Sequence, residues 1–188
     1  MQRVPAKSDM HQVRSEATIL KSQRVLIADE QPQSRRFILD LCRTLGLVEL
    51  ATAQSSEHAV STLEQAPFDV LLCVWGRGLD APLLTRRIRA DSAKSYQRIR
   101  IVVLRLAATV PDVQAVRDAG ADEFLSMPLT RGSMLAALHR VSSRPQHFVD
   151  CDVYKGPCRR RRRLEWDDER RRVETAQHVQ AKAVEATG

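Results

Sequence analysis

Aromatic residues make up only 4% of the 188-residue sequence, and no stretch approaches the ~20 consecutive apolar residues that a membrane-spanning helix requires. The opening segment, MQRVPAKSDMHQVRSEATILKSQ, lacks the apolar run and small-residue cleavage site of a secretory signal. A cytoplasmic protein without membrane association is the expectation. Cysteine is sparse and poorly spaced for chemistry. Cys42 and Cys73 fall inside apolar runs and read as small buried hydrophobes. Cys151 and Cys158 have no Cys-x-x-Cys or histidine pair beside them, which argues against a zinc site or disulfide framework. The histidines (His11, His58, His139, His147, His178) are scattered, with no pair at metal-binding spacing. A glycine-rich phosphate loop, a nucleophile–base pair and a readable helix-turn-helix are also missing. These absences argue against an enzyme and against sequence-specific DNA recognition.

What is present suits one ordinary domain with extensions: 43% hydrophobic residues for a core and 28% charged residues for a surface. The net charge of +7 is unevenly spread, because much of it comes from the run Arg159, Arg160, Arg161, Arg162 and Arg163. A charge run is most simply a solvated segment. Its functional alternative is an anion-binding tail, since guanidinium forks grip phosphates or acidic side chains bidentately. Contact with nucleic acid through that tail would be salt-sensitive and mostly sequence-independent, with the preceding domain serving as a dimerisation module. Tyr154 and Trp166 flank the run as its only nearby aromatics.

Along the chain, residues 1–22 are polar, carry Pro5 and read as a mobile arm. From Arg24 the character changes. Short apolar runs alternate with segments of helical period. Val25–Ala28 stops abruptly at Asp29-Glu30, as a buried parallel strand does, and Phe37, Ile38, Leu41, Cys42 and Leu45 then follow a helical spacing to Gly46. A weaker strand over Leu47–Ala53, the apolar runs Val70–Val74 and Ile101–Leu104, and a short run Glu123–Ser126 repeat the pattern. Helices fit after Ser55-Ser56, near Pro82, from Pro111 to Gly120 and over Met134–Val141. About five such units imply an α/β, flavodoxin-like, doubly wound five-stranded parallel sheet, with ligand chemistry gathered at the carboxyl ends of its strands. Residues 23–142 form this domain. Residues 143–188 read as a basic tail, partly disordered or helical, in which Leu164, Trp166, Val173, Val179 and Val184 form no clean stripe.

Three segments in the right order, VLIADEQPQSRRFILDLCRTLG, FDVLLCVW followed by LDAPLLTRRIR, and DAGADEFLSMPL, resemble the CheY-like receiver domains of bacterial two-component systems. The resemblance implies strand order 2-1-3-4-5 and a phosphorelay role with a histidine kinase or other signalling protein as partner. It also implies a protein-binding face between about Pro111 and Val141, an inference from fold analogy alone. Its acidic pair, which binds magnesium, matches Asp29 and Glu30. At the phosphoacceptor aspartate stands Val74, at the phosphate-contacting Thr or Ser stands Arg105, and at the lysine stands Met127, just before Pro128. The resemblance implies a cis bond at Pro128, whereas the residues alone favour trans.

The substitutions carry chemical consequences. Valine offers no nucleophile for an acyl phosphate, and Met127 cannot neutralise phosphoryl charge. Asp29 and Glu30 are either a residual Mg2+ site or polar residues ending a buried strand. Arg105 is either a surface residue or an internal counter-ion for Asp29 or Glu30, and Trp75 either a binding aromatic or a lid. Asp69, before the third strand, sits at the wrong end of the sheet for this chemistry. Asp80 reads as a loop or capping residue, and is the only nearby alternative acceptor. The leading expectation is therefore a degenerate receiver acting by phosphorylation-independent protein binding. A nucleic-acid-associated regulator and a phosphoacceptor displaced to Asp80 are the alternatives.

Overall fold

Residues 22–90, 92–143, 147–151 and 153–159 are described by the computed structural model on which this account rests. Ten elements alternate as the sequence pattern requires: β1 (Arg24–Ala28), α1 (Pro32–Thr44), β2 (Glu49–Ala53), α2 (Ser56–Gln65), β3 (Val70–Val74), α3 (Ala81–Ala90), β4 (Arg100–Leu106), α4 (Val110–Ala119), β5 (Glu123–Met127) and α5 (Arg131–Ser143). Every strand pairs in parallel with its neighbours, in the order β2-β1-β3-β4-β5. The flavodoxin-like expectation is met. Among the described residues no helix is long and apolar enough to cross a membrane.

Burial on both faces explains the unbroken apolar runs. Leu26, Leu71, Cys73, Ile101 and Val103 pack with residues of α2, α3 and α4. Their alternates Val25, Ile27, Val70, Leu72, Val102 and Leu104 pack with residues of α1 and α5. Burial pushes the Cys42 thiol up to about 12, and it pushes Cys73 higher still, with the Asp29 and Asp80 charges adding to the effect. Both cysteines are inert core residues, as expected.

Local signals fix the helix ends. Pro32 opens α1, and Ser55 caps α2 by accepting from His58 N. Gly120 ends α4 at φ +96°, a conformation costly to any residue with a Cβ. The second strand begins at Glu49, not at Leu47. The Leu47 amide donates to Cys42 O at the end of α1, so it is unavailable to the sheet.

The stretch read as the start of a tail contains a further pair of strands. β6 (Phe148–Cys151) and β7 (Tyr154–Pro157) form an antiparallel hairpin that packs against α3 and α4. The contact is backbone on backbone. A side chain at Gly120 would collide with Lys155 O, and one at Gly156 with Gly120 Cα. Lys155 Nζ donates to Ala90 O at the end of α3, 3.2 Å away.

Beneath the hairpin lies Arg89, only 2% exposed. Its guanidinium donates to Gly120 O (3.0 Å), Gln97 O, Ile99 O (2.8 Å) and Asp122 Oδ2 (2.9 Å), and the Phe148 ring lies 5.5 Å away. One side chain thus ties together the end of α3, the turn Ser95–Arg98, the start of β4 and the end of α4. Removing it leaves three carbonyls and a carboxylate without their partner, and breaking a buried pair in this way costs ~3–5 kcal/mol. Arg89→Met is expected to lower unfolding free energy by about that amount in urea titrations, whereas Arg86→Met, on the same helix, should change it by less than ~0.5 kcal/mol.

Candidate functional site

The carboxyl ends of β1, β3, β4 and β5 bring together Asp29, Glu30, Val74, Arg105 and Met127, with Trp75 and Pro128 immediately following. Asp29 is 1% exposed. Its Oδ1 accepts from Gln31 N at 2.9 Å, and its Oδ2 is buried with no hydrogen-bond partner among the described residues. Glu30 follows it in the chain. Its carboxylate lies against Gly76 and Gly78 in the loop after β3, where any side chain would collide with its oxygens. Two glycines therefore form the seat of this carboxylate.

Val74 ends β3 at 9% exposure and belongs to the apolar cluster against which Met127 and Leu129 also pack. Two positions that would carry charge in a phosphate site instead extend the core. Met127-Pro128 is a cis peptide, in line with the resemblance and against the reading of the residues alone.

Arg105 does not pair with Asp29 or Glu30, which corrects the internal counter-ion expectation. Its guanidinium lies over the Trp75 ring, 4.0 Å from the centroid, and its Nε lies 3.1 Å from Asp112 Oδ2. That nitrogen is off the hydrogen-bond direction, so the contact with Asp112 is ionic. Stacking on an aromatic face suits arginine, at ~0.5–2 kcal/mol. Asp112 is itself fixed by a capping box: Thr109 N donates to Asp112 Oδ2 (2.9 Å), and Asp112 N donates to Thr109 Oγ1 (3.4 Å). Between Arg105 and Thr109, Ala107 adopts φ +49°, a left-handed conformation unusual for a residue with a Cβ. The loop from β4 to α4 is thereby clamped to Trp75. Trp75 is neither a free binding ring nor a lid; it is half-buried and carries the guanidinium.

Asp80 caps α3, its Oδ1 accepting from Leu83 N at 2.9 Å. Asp69 accepts from Arg24 N at the opposite edge, as a strand-entry residue. Arg159 is exposed, while Arg160, Arg161, Arg162 and Arg163 lie outside the described residues, as do the amino-terminal arm over residues 1–21 and the helical reading of 164–186. Sequence reasoning missed Gly76, Gly78 and Asp112. The Thr-x-x-Asp capping pattern at 109–112 was available to flag Asp112.

Magnesium needs an octahedron of oxygen donors, usually carboxylates with waters and phosphoryl oxygens. The buried Oδ2 of Asp29 meets one requirement. Glu30 is turned toward the glycine loop, Val74 supplies no donor, and no group of three metal-binding side chains exists among the described residues. The residues do not fit a magnesium–phosphoryl centre.

Comparison with known proteins agrees with the fold. The family model described as response regulator receiver domain matches residues 25–139. The chemotaxis protein CheY-3 of Vibrio cholerae is 24% identical over 130 residues, covering 69% of this chain and 98% of that protein. The chemotaxis protein CheY of Pseudomonas aeruginosa is 25% identical over 122 residues, covering 64% of this chain and 97% of its own length. Among solved structures, the receiver domain of a sensor histidine kinase from Pseudomonas aeruginosa superposes with a TM-score of 0.58 at 25% identity, covering 65% of this chain and 98% of that one. That crystal structure contains a magnesium ion coordinated in its active site cleft.

The clamp has a pH signature. Hydrogen bonds from the Thr109 backbone and hydroxyl, with Arg105 adding its charge, hold the Asp112 carboxyl below its ordinary value. A carboxyl depressed in the folded state stabilises above its unfolded pKa, about 3.9 for Asp, and loses that contribution as pH falls through the folded value. Asp112→Asn should therefore be less stable than the parent at pH 7, and urea titrations should show the gap closing as pH drops below about 4.

Proposed function

Because the chain belongs to the response regulator receiver domain family of two-component signalling, we propose that it signals by binding a protein partner without passing through an aspartyl phosphate. The observation that carries this reading is Val74 at the tip of β3. Acyl phosphate formation begins with attack by a carboxylate oxygen, and the strand tip beside Asp29 presents two methyl groups instead.

The neighbours support the same conclusion. Met127 packs on the apolar cluster, and Arg105 is committed to Trp75 and Asp112. The start of α4 is thus anchored by contacts that need no phosphoryl group. The surface this anchoring presents runs over α4, β5 and α5, with Val110, Val113 and Leu135 among its exposed apolar side chains. A histidine kinase or another signalling protein of the pathway is the partner this face suits. The Glu123 carboxylate, 2.7 Å from Arg140 Nε, ties β5 to α5 within it. Residual divalent binding would rest on Asp29 and Glu30 with water completing the shell, which implies low affinity.

Incubation with acetyl phosphate and Mg2+, followed by intact-mass measurement, should leave the parent protein unmodified. Val74→Asp, which restores a third carboxylate beside Asp29, should bind Mg2+ at lower concentration than the parent when followed by tryptophan fluorescence. A stable phosphoryl adduct on the parent would overturn the proposal, and its loss in Asp80→Ala would assign the acceptor to Asp80.

A further inference from the structure

The opposite edge of the sheet, at the amino ends of β3, β4 and β5, holds a cleft of about 730 Å³. It lies between Phe68-Asp69 ahead of β3, the turn Ser95–Arg98, Arg100, Asp122 and Phe148 of the hairpin. Ligand sites commonly measure ~300–1,000 Å³ and combine apolar walls with a few convergent polar groups. The family match ends at residue 139, so the Phe148 wall lies beyond the matched residues.

Charge in the cleft is unequal. Arg89, Arg98 and Arg100 face Asp69 and Asp122 around the same space. Arg89 is committed to Asp122 and to backbone carbonyls, and serves as a rigid floor. Arg98 lies against the Phe148 ring at 5.3 Å and has no carboxylate partner among the described residues. The Arg100 guanidinium, half-buried, likewise has none. Two guanidiniums with no ion pair among the described residues thus stand at one opening where three arginines face two carboxylates, beside the aromatic side chains of Phe68, Tyr96 and Phe148. In a sequence with only 4% aromatic residues, three in one cleft is a local concentration.

We infer that this cleft is a binding site for a nucleotide: a small ligand with a phosphate for Arg98 and Arg100 and a planar base for the aromatic wall. Guanidinium forks recognise phosphate bidentately. Asp69 and Asp122 make the cleft unfavourable for a bare polyanion, and the Asp69 carboxylate offers an acceptor for a base N–H group. The site is independent of the reading given for the carboxyl edge.

Isothermal titration of the full chain with AMP, GMP, adenosine and inorganic phosphate at fixed low salt tests this inference. Saturable binding of AMP or GMP, tighter than that of either adenosine or phosphate, is expected. The double variant Arg98→Ala/Arg100→Ala should weaken it by roughly tenfold or more, the effect of losing charge-assisted hydrogen bonds, and Arg98→Lys should lose less than Arg98→Ala. Circular dichroism on the same samples should show the variants folded. No saturable binding of either nucleotide, equal binding of inorganic phosphate, or nucleotide binding that survives in the folded double variant would each overturn the assignment.

Discussion

An apolar strand tip imposes an electrostatic constraint on everything around it. Val74 closes a strand buried along its whole length, and a charge held next to it without a partner would pay the desolvation penalty of a low-dielectric site. The surrounding groups have each adopted a position compatible with that constraint. Glu30 lies against the glycine loop, Arg105 stacks on the Trp75 ring and pairs with Asp112, and Met127 packs on the core. Asp29 alone keeps an unpartnered buried oxygen. Val74, Met127 and Arg105 thus form a consistent set around an apolar strand tip.

The fold was legible because its determinants are local and repeated. Strands buried on both faces must be continuous apolar runs, and helices between them must carry a 3.6-residue period, so five units could be read without long-range information. Val74 was legible for a similar reason: the end of an apolar run next to Trp75 locates the strand tip directly. The start of β2 was not, because whether Leu47 extends the strand depends on its amide capping the preceding helix. The hairpin was less legible still. FVDC and YKGP have little strand character, with Gly156 and Pro157 in the second. They are held by tertiary contacts, the close approach of Gly156 to Gly120 and the packing of Phe148 near Arg89.

Arginine placement marks the boundary between what patterns show and what only packing decides. Three arginines stand in the last turns of α3 and look interchangeable in TRRIRA, yet Arg89 is buried and fully hydrogen-bonded while Arg86 and Arg87 face outward. A guanidinium is buried only where enough carbonyls converge to satisfy it, and those carbonyls come from Gln97, Ile99 and Gly120, distant along the chain. Arg105 shows the same limit. Its position in the strand was readable, but its partner was set by the capping box of the next helix.

β4 carries an arginine near each end. Arg100 stands at the mouth of the hairpin cleft and Arg105 at the clamped loop, with Ile101–Leu104 fully buried between them. A close-packed central strand moves as a unit, and interiors of this density transmit displacement instead of absorbing it. The amino end of β4 is fixed through Arg89, which holds Ile99 O, and the carboxyl end through Arg105 and Asp112. Side chains of the protein itself thus hold β4 at both edges of the sheet.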